Sequence, residues 1–155
     1  MCTGIAFALG ELPLYLLERH QLEDRIFKRG GEQEVRFLFR SAVRLLPVWH
    51  EGKLRIAPWG RRRGETRVLP VTGWTWQESL ENGRWSSFDP ELVHIPATMG
   101  LENGIWFRIR QGIQGVLVHD EAKNPVVYML CEKASHYYKT MTRSDRMPVL
   151  IGERI

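Results

Sequence analysis

The chain has 155 residues, of which 43% are hydrophobic and 26% charged, and its formal net charge is +4. This length predicts a single domain spanning residues 1–155, and the composition is that of a soluble globular protein. No run approaches the roughly 18 apolar residues of a membrane span, and no secretory signal is recognisable, so we predict no membrane association. Two cysteines, Cys2 and Cys131, are too few for a disulfide framework and favour a reducing cytoplasm.

The N-terminus carries the first candidate for chemistry. The small side chain of Cys2 predicts removal of Met1, which would leave a cysteine with a free α-amine and a thiol. Their unperturbed pKa values of about 7.7–8.0 and 8.5 leave both groups partly nucleophilic near neutrality. Together they can trap an aldehyde as a five-membered thiazolidine, or the amine can serve as the base for an attacking thiol. The apolar run 4–9 predicts a buried strand that ties this terminus down.

The first third of the chain is predicted to contain one helix and then strands. Spaced apolar residues predict a helix over 11–28, with Pro13 in its first turn and Gly30-Gly31 as its stop. A strand is predicted over 35–39. Two further strands, over 43–49 and 53–58, form a hairpin that turns at residues 50–52.

Short strands dominate the remainder. We predict a strand over 68–76, an irregular stretch to Pro96, a short helix over 132–140 and a closing strand over 147–151. Three more strands are predicted over 105–110, 113–118 and 126–131, the last of which makes Cys131 a buried, inert thiol. Because strands outnumber helices, the predicted class is α+β, with a mostly antiparallel, barrel-like sheet and a few flanking helices.

A cationic segment offers a second candidate site. Trp59 and Gly60 directly precede Arg61, Arg62 and Arg63. Arginines bind phosphates, a flat aromatic face stacks on an unpaired base, and glycine permits close backbone approach, so this segment predicts binding of single-stranded nucleic acid. The alternative is a solvated loop beside a core tryptophan. The histidines show no metal-ligand spacing and no nucleotide-binding motif occurs, so neither metal nor cofactor is predicted.

Several segments resemble one family in the same order along the chain. Residues 143–151, RSDRMPVLI, resemble the H-D-R-M-P-V-I-L segment of the SOS-response-associated peptidase (SRAP) family, the abasic-site processing proteins. Met1-Cys2 is similar to that family's M-C-G-R start. Residues 54–60 resemble its strand ending in R-W-G, residues 68–74 its L-I-P-A-D-G-F, and residues 61–66 more loosely its N-A-R-A-E-T.

This resemblance implies a fold and an activity. In the family, a mixed α/β barrel-like fold places the terminal cysteine in a groove for single-stranded DNA. There it traps the ring-opened aldehyde of an abasic site as a stable DNA–protein crosslink in the DNA damage response. The same cysteine has been proposed to expose its own N-terminus by autoproteolysis. The resemblance therefore implies Cys2 as the nucleophile and a role for Arg146 in holding the DNA strand or a phosphate. We expect the protein to act as a monomer.

The sequence departs from the family pattern at the other catalytic positions. Ser144 occupies the position of the family's histidine, Glu78 is the nearest substitute for its glutamate, and Arg61 falls where it has an asparagine. We expect an abasic-site crosslinking protein of altered or reduced activity. The alternatives are a non-catalytic single-stranded DNA-binding relative and an N-terminal-nucleophile cysteine hydrolase, since glutamine amidotransferases also begin M-C-G-I.

Overall fold

A computed structural model describes residues 1–155, in which twelve strands and three short helices form an α+β domain. The helices are α1 (Leu14–Arg19), α2 (Gln77–Glu81) and α3 (His136–Thr142). The strands are β1 (Gly4–Ala8), β2 (Ile26–Arg29), β3 (Glu32–Leu38), β4 (Leu45–His50), β5 (Lys53–Pro58), β6 (Trp74–Trp76), β7 (Glu91–Ile95), β8 (Met99–Glu102), β9 (Ile105–Arg108), β10 (Ile113–His119), β11 (Pro125–Lys133) and β12 (Arg146–Pro148).

The strands form two sheets. A five-stranded sheet has the order β2-β3-β1-β8-β9, and a seven-stranded sheet has the order β12-β11-β10-β7-β4-β5 with β6 joined to β11. Every strand pairing is antiparallel except the parallel β6–β11 pair. The predicted α+β class with a mostly antiparallel sheet is therefore confirmed. No helix is long and apolar enough to cross a membrane.

The main core lies between the two sheets. Side chains of the five-stranded sheet such as Ile5 and Phe37 meet Val48 and Ile95 of the seven-stranded sheet in one buried cluster. A smaller cluster covers the other face of the seven-stranded sheet, where Trp85 and Leu69 pack on Val126, Tyr128 and Leu130. Strand β11 is thus buried on both faces, which explains why its sequence is a continuous apolar run rather than an alternating one.

The predicted helix over 11–28 is wrong for most of its length. The helix ends at Arg19, because Gln21 adopts a left-handed backbone with φ of 52° and the chain turns there. Ile26 then begins β2 and pairs with Val35 across the hairpin. Tertiary pairing with β3 therefore overrides the helical spacing of the apolar residues.

The segment after residue 67 also differs from the prediction. Only residues 74–76 of the predicted strand 68–76 are extended in a sheet, because the Thr66 hydroxyl accepts the backbone N–H groups of Val68 and Leu69 and holds a local turn. The predicted irregular stretch to Pro96 contains α2 and β7.

At the C-terminal end, the helix begins at His136 because Ser135 caps it, with its hydroxyl accepting the Tyr138 N–H at 3.1 Å. The helix therefore starts four residues after the predicted position, and residues 132 and 133 extend β11 instead. The closing strand occupies Arg146–Pro148 rather than 147–151.

Candidate functional site

Cys2 lies at the entry to β1, the central strand of the five-stranded sheet. Its carbonyl accepts a hydrogen bond from Trp74 Nε1 at 2.9 Å, and its neighbour Thr3 donates its N–H to the Leu101 carbonyl at 2.8 Å. The Cys2 side chain is 1% exposed, and its thiol donates to the Gly4 carbonyl at 3.2 Å. The terminus is thus fixed in the core, as the apolar run after it predicts.

A buried carboxylate faces the chain terminus. Glu102, the last residue of β8, forms an ion pair with the Met1 α-ammonium group, and its side chain is 3% exposed. The same ammonium group donates to the Ser144 hydroxyl at 2.9 Å, and that hydroxyl in turn donates to the Arg146 carbonyl at 3.0 Å. Glu102 and Ser144 therefore form a small polar cradle for an amine at the start of the chain.

Tyr138 supports this cradle from below. It is fully buried on α3 and donates its hydroxyl to Glu102 Oε1 at 3.4 Å. Burial raises the pKa of the Tyr138 phenol, and the neighbouring Cys2 and Glu102 add to the rise because a second negative charge there is unfavourable. Tyr138 is therefore a permanent hydrogen-bond donor that orients the carboxylate.

The thiol itself is held protonated. Burial raises the pKa of Cys2 to about 12, and the Glu102 carboxylate contributes to the rise. A thiol with this pKa is almost entirely uncharged near neutral pH, and the thiolate is the nucleophilic form. In this environment the Cys2 thiol is a poor nucleophile until a base removes its proton.

An aromatic ring and a cation border the cradle on its solvent side. The Arg146 guanidinium carbon lies 4.5 Å from the centroid of the half-buried Trp76 ring, and Arg146 Nη1 lies 3.6 Å from the Met1 sulfur. Trp76 ends β6 and Arg146 begins β12, and both strands pair with β11. The seven-stranded sheet therefore places an aromatic ring and an exposed positive charge next to the chain terminus.

The structure brings together three of the residues that the sequence predicted, namely Cys2, Ser144 and Arg146. Glu78 does not join them. It is exposed on α2, lines a surface depression of about 280 Å³ with Asn82 and Arg84, and makes no hydrogen bond to Met1 or Cys2. The prediction of Glu78 as the family's glutamate is therefore corrected, because Glu102 is the carboxylate that reaches the terminus.

Sequence reasoning missed Glu102, although a signal for its strand is present. Asn103 and Gly104 follow it directly, and both have positive φ, at 50° and 78°. Asn-Gly is the strongest short-range sign of a two-residue hairpin, and here it joins β8 to β9. A carboxylate immediately before such a turn lies at a strand end. Its position beside residue 2 depends on the pairing of β1 with β8, which local sequence does not encode.

The predicted nucleic-acid segment divides into a buried and an exposed part. Trp59 is 0% exposed, and its Nε1 donates to the Gly73 carbonyl at 2.9 Å, so it cannot stack on a base. Gly60 is buried with φ of 63°, and a Cβ there would collide with the Thr72 carbonyl, so its role is to let two backbones meet. These two predictions of DNA contact are corrected, and the alternative of a core tryptophan holds.

The three arginines have different environments. Arg61 is 11% exposed and pairs with Asp120 at 3.0 Å, where hydrogen bonds from Asn124 and Arg61 lower the pKa of the aspartate in spite of its burial. This pairing removes Arg61 from the candidate phosphate contacts. Arg62 is exposed and donates to the carbonyls of Phe39 and Ser41. Arg63 is exposed without a hydrogen bond or ion pair and stays a candidate phosphate contact.

Two other groups with potential chemistry lie outside this site. The Cys131 thiol is 2% exposed and donates to the Thr75 carbonyl at 3.4 Å, and burial raises its pKa to about 11, so the predicted buried thiol is confirmed. His50, Glu51 and Glu91 place potential metal-ligand atoms within 4.8 Å of one another on the seven-stranded sheet. His50 Nε2 already bonds Glu91 Oε2 at 2.5 Å, and this group has no contact with Cys2.

Comparison with known proteins adds no assignment. No protein-family model matches the chain. No curated protein and no solved structure matches it either. The observations that bear on function are therefore the geometry around Cys2 and the resemblance of several sequence segments to the SRAP motifs.

Proposed function

We propose that this chain captures the ring-opened aldehyde of abasic sites in single-stranded DNA through Cys2, forming a covalent DNA–protein crosslink. The observation that carries this proposal is the cradle at the terminus. A buried carboxylate, Glu102, and a hydroxyl, Ser144, bind the α-amine of Met1, one residue before Cys2, and removal of Met1 would leave these two groups for the Cys2 amine. An α-amine and a thiol on adjacent carbons trap an aldehyde in a stable five-membered ring, and a cradle for the amine places both reactants together.

The reaction balances without a cofactor. After Met1 is removed, the free Cys2 amine attacks the aldehyde carbon and forms a carbinolamine. Loss of one water gives an iminium ion, and the thiol sulfur then adds to the same carbon while its proton leaves to a base. The product is a thiazolidine, and water is the only other product. The raised pKa of the thiol, about 12, fits this order because the amine rather than the sulfur attacks first.

Each residue of the cradle has a part in these steps. The Glu102 carboxylate is the base nearest the terminus, so it accepts a proton from the Cys2 ammonium group and returns that proton to the carbinolamine hydroxyl, which leaves as water. The same carboxylate then accepts the proton that the thiol releases. Tyr138 keeps that carboxylate oriented through its hydroxyl. Ser144 holds the amine by a hydrogen bond. Its hydroxyl does not titrate near neutral pH, whereas the imidazole of the family's histidine does.

The DNA itself would meet Trp76 and Arg146. The Arg146 guanidinium group lies over the Trp76 ring, and a base beside the abasic sugar can stack on the plane of this guanidinium while its donors bind a phosphate. Removal of Met1 would open the space that its side chain fills next to Arg146. An abasic sugar has no base to occupy that space, and a flexible single strand can bring it to a terminus that lies at the end of a central strand.

The two alternatives differ in what they require of the thiol. A cysteine hydrolase needs an activated sulfur, and the buried Cys2 thiol with its raised pKa is poorly suited to this role. A non-catalytic DNA-binding relative needs only Trp76 and the exposed arginines. It would not account for a buried carboxylate directed at the terminal amine, since a desolvated charge of this kind is unfavourable unless it is paired.

The test compares the wild-type chain with Cys2→Ser. Each is incubated with a fluorescent single-stranded oligonucleotide that carries one abasic site, and the products are separated on a denaturing gel after heating. The wild type should give a heat-stable shifted band. Cys2→Ser retains the amine but can form only a labile Schiff base, so its band should disappear on heating. A heat-stable band of equal intensity for Cys2→Ser would refute the thiazolidine.

A further inference from the structure

The outer face of the five-stranded sheet carries only small residues along its central strand. In the register of the sheet, Gly4, Ala6 and Ala8 of β1 face away from the core, while Ile5 and Phe7 face into it. These small residues leave a trough that side chains of the neighbouring strands fill: a Cβ at Gly4 would collide with Leu38, and Ala6 is 0% exposed. The trough begins next to Cys2 and follows β1 for five residues, about 17 Å at 3.3–3.4 Å per residue.

Arginines and aromatic rings cover the middle of this trough. The Arg36 guanidinium carbon lies 4.3 Å from the Phe27 ring centroid and 5.0 Å from that of Trp106. Arg29 lies 4.8 Å from the same Trp106 ring. Glu34 accepts hydrogen bonds from both arginines, and these bonds lower its pKa in spite of its burial. This arrangement fixes the two guanidinium groups across the sheet.

Each end of the trough opens into a pocket that contains arginines. The pocket at the Cys2 end, of about 560 Å³, is lined by Thr3, Arg40, Arg62 and Trp106. The pocket at the far end, of about 620 Å³, is lined by residues that include Arg29, Arg108 and Arg110. Trp106 connects the two, because it lines the first pocket and stacks with Arg29 of the second. We call this continuous surface the β1 track.

The β1 track is strongly cationic. Six arginines and two glutamates line it, which gives it a formal charge of +4, equal to the net charge of the protein. The arginines are Arg29, Arg36, Arg40, Arg62, Arg108 and Arg110, and the glutamates are Glu32 and Glu34. Of these, Arg40, Arg108 and Arg110 are exposed, and their guanidinium groups form no hydrogen bond or ion pair.

We infer that the β1 track binds the phosphodiester backbone of the single strand on one side of the captured nucleotide. This inference rests on the proposed function, because the strand enters the track where it leaves Cys2. Unpaired guanidinium groups at both ends supply phosphate contacts, and the guanidinium planes of Arg29 and Arg36, stacked on the aromatic rings, offer flat surfaces for unstacked bases. The track leaves Cys2 in one direction only, so a single flank of the DNA is bound.

The test measures binding of an undamaged fluorescent single strand by anisotropy over a range of salt concentrations. Each phosphate contact contributes about 0.7 to the slope of log affinity against log salt for single strands. The double variant Arg108→Ser/Arg110→Ser should lower the slope by about 1.4, and Arg40→Ser should lower it by about 0.7. The matched control is Lys53→Ser/Arg55→Ser, which removes two exposed charges at the same spacing from β5, outside the track.

A second measurement gives the direction. Crosslinking rates are compared for two oligonucleotides, one with the abasic site at its 5′ end and one with it at its 3′ end. The variant Arg108→Ser/Arg110→Ser should slow crosslinking only of the oligonucleotide whose flanking nucleotides lie on the track. Equal salt slopes for this variant and the control would overturn the inference, as would equal slowing of both strands. The proposed function fails separately, if the wild type forms no adduct, since the salt slopes use undamaged DNA. Thermal melting of each variant confirms that it is folded.

Discussion

At the scale of single residues, the proposed crosslinking reaction depends on which carboxylate acts as the base for Cys2. Glu102 is 3% exposed and contacts the terminal ammonium group, whereas Glu78 is exposed on α2. Glu102→Gln keeps the shape and a hydrogen-bond acceptor but removes the base. We expect single-turnover crosslinking to slow by about 10²–10⁴-fold, the usual contribution of a positioned base. Glu78→Gln, the matched change in the other carboxylate, should crosslink at the wild-type rate.

The opposite pattern would contradict the assignment. If Glu78→Gln lost activity and Glu102→Gln retained it, the carboxylate near the terminus would be structural only. Binding of undamaged single-stranded DNA should be unchanged in both variants, because neither residue carries the charge that contacts phosphates.

Ser144 allows a second prediction at this scale. Its hydroxyl already contacts the terminal amine at 2.9 Å, so a side chain here reaches the reacting groups. Histidine has an unperturbed pKa of about 6.5 and can move protons near neutral pH, which serine cannot. Ser144→His should therefore accelerate crosslinking, with a pH profile that acquires a new inflection near the titration of the imidazole. Rates that match the wild type at every pH would show that position 144 takes no part in the chemistry.

The residues of the site were only partly predictable from the sequence. Cys2, Ser144 and Arg146 were found because each lies in a short motif. Glu102 and Tyr138 were missed, since each reaches Cys2 through contacts between distant parts of the chain, across the β1–β8 pair and from α3. Trp59 was misassigned because an aromatic residue beside a run of cations has the same local sequence whether it is buried or exposed.

At the scale of elements, the segment 61–63 separates charge that stabilises the fold from charge available to a ligand. Arg61 and Asp120 are both nearly buried and form an ion pair. Arg61→Leu leaves the aspartate unpaired, which costs about 3–5 kcal/mol. At roughly 2–4 °C per kcal/mol for a chain of this size, calorimetry should show Tm lowered by about 6–20 °C. Arg63→Ser should leave Tm unchanged.

The two variants should also differ in DNA binding. Arg63→Ser should lower the salt slope for single strands by about 0.7, as one lost phosphate contact would. Arg61→Leu, measured at a temperature where it is folded, should keep the wild-type slope. A normal Tm for Arg61→Leu together with a reduced slope would reverse the assignment of these arginines.

Several strands were predicted close to their observed bounds, because alternating or continuous apolar residues identify strands directly. They are the hairpin β4–β5 and the strands β3, β9, β10 and β11. Helix α1 was overextended because residues 22–27 have helical spacing yet pair as β2. Strand β6 is only three residues long and gains its place from the parallel pairing with β11. Such pairing is set by the fold and leaves no local pattern.

At the scale of the whole molecule, the outer faces of the two sheets differ. The seven-stranded sheet is buried on one face against the main core and largely covered on the other, where Trp85 and Leu69 pack. The five-stranded sheet carries the cationic β1 track on its outer face. Cys2 lies at one end of that track, and Trp76 and Arg146 approach the terminus from the other sheet. Cys2 thus lies where the two sheets meet.

Intact-protein mass spectrometry detects both the loss of Met1 and the covalent adduct with DNA. The purified chain is measured alone and after incubation with a single-stranded oligonucleotide that carries one abasic site. We predict a free chain that begins at Cys2, and an adduct whose mass is the sum of that chain and the oligonucleotide less one water, as thiazolidine formation requires. A chain that retains Met1 in most molecules, or that forms no adduct after Met1 is lost, would contradict the account.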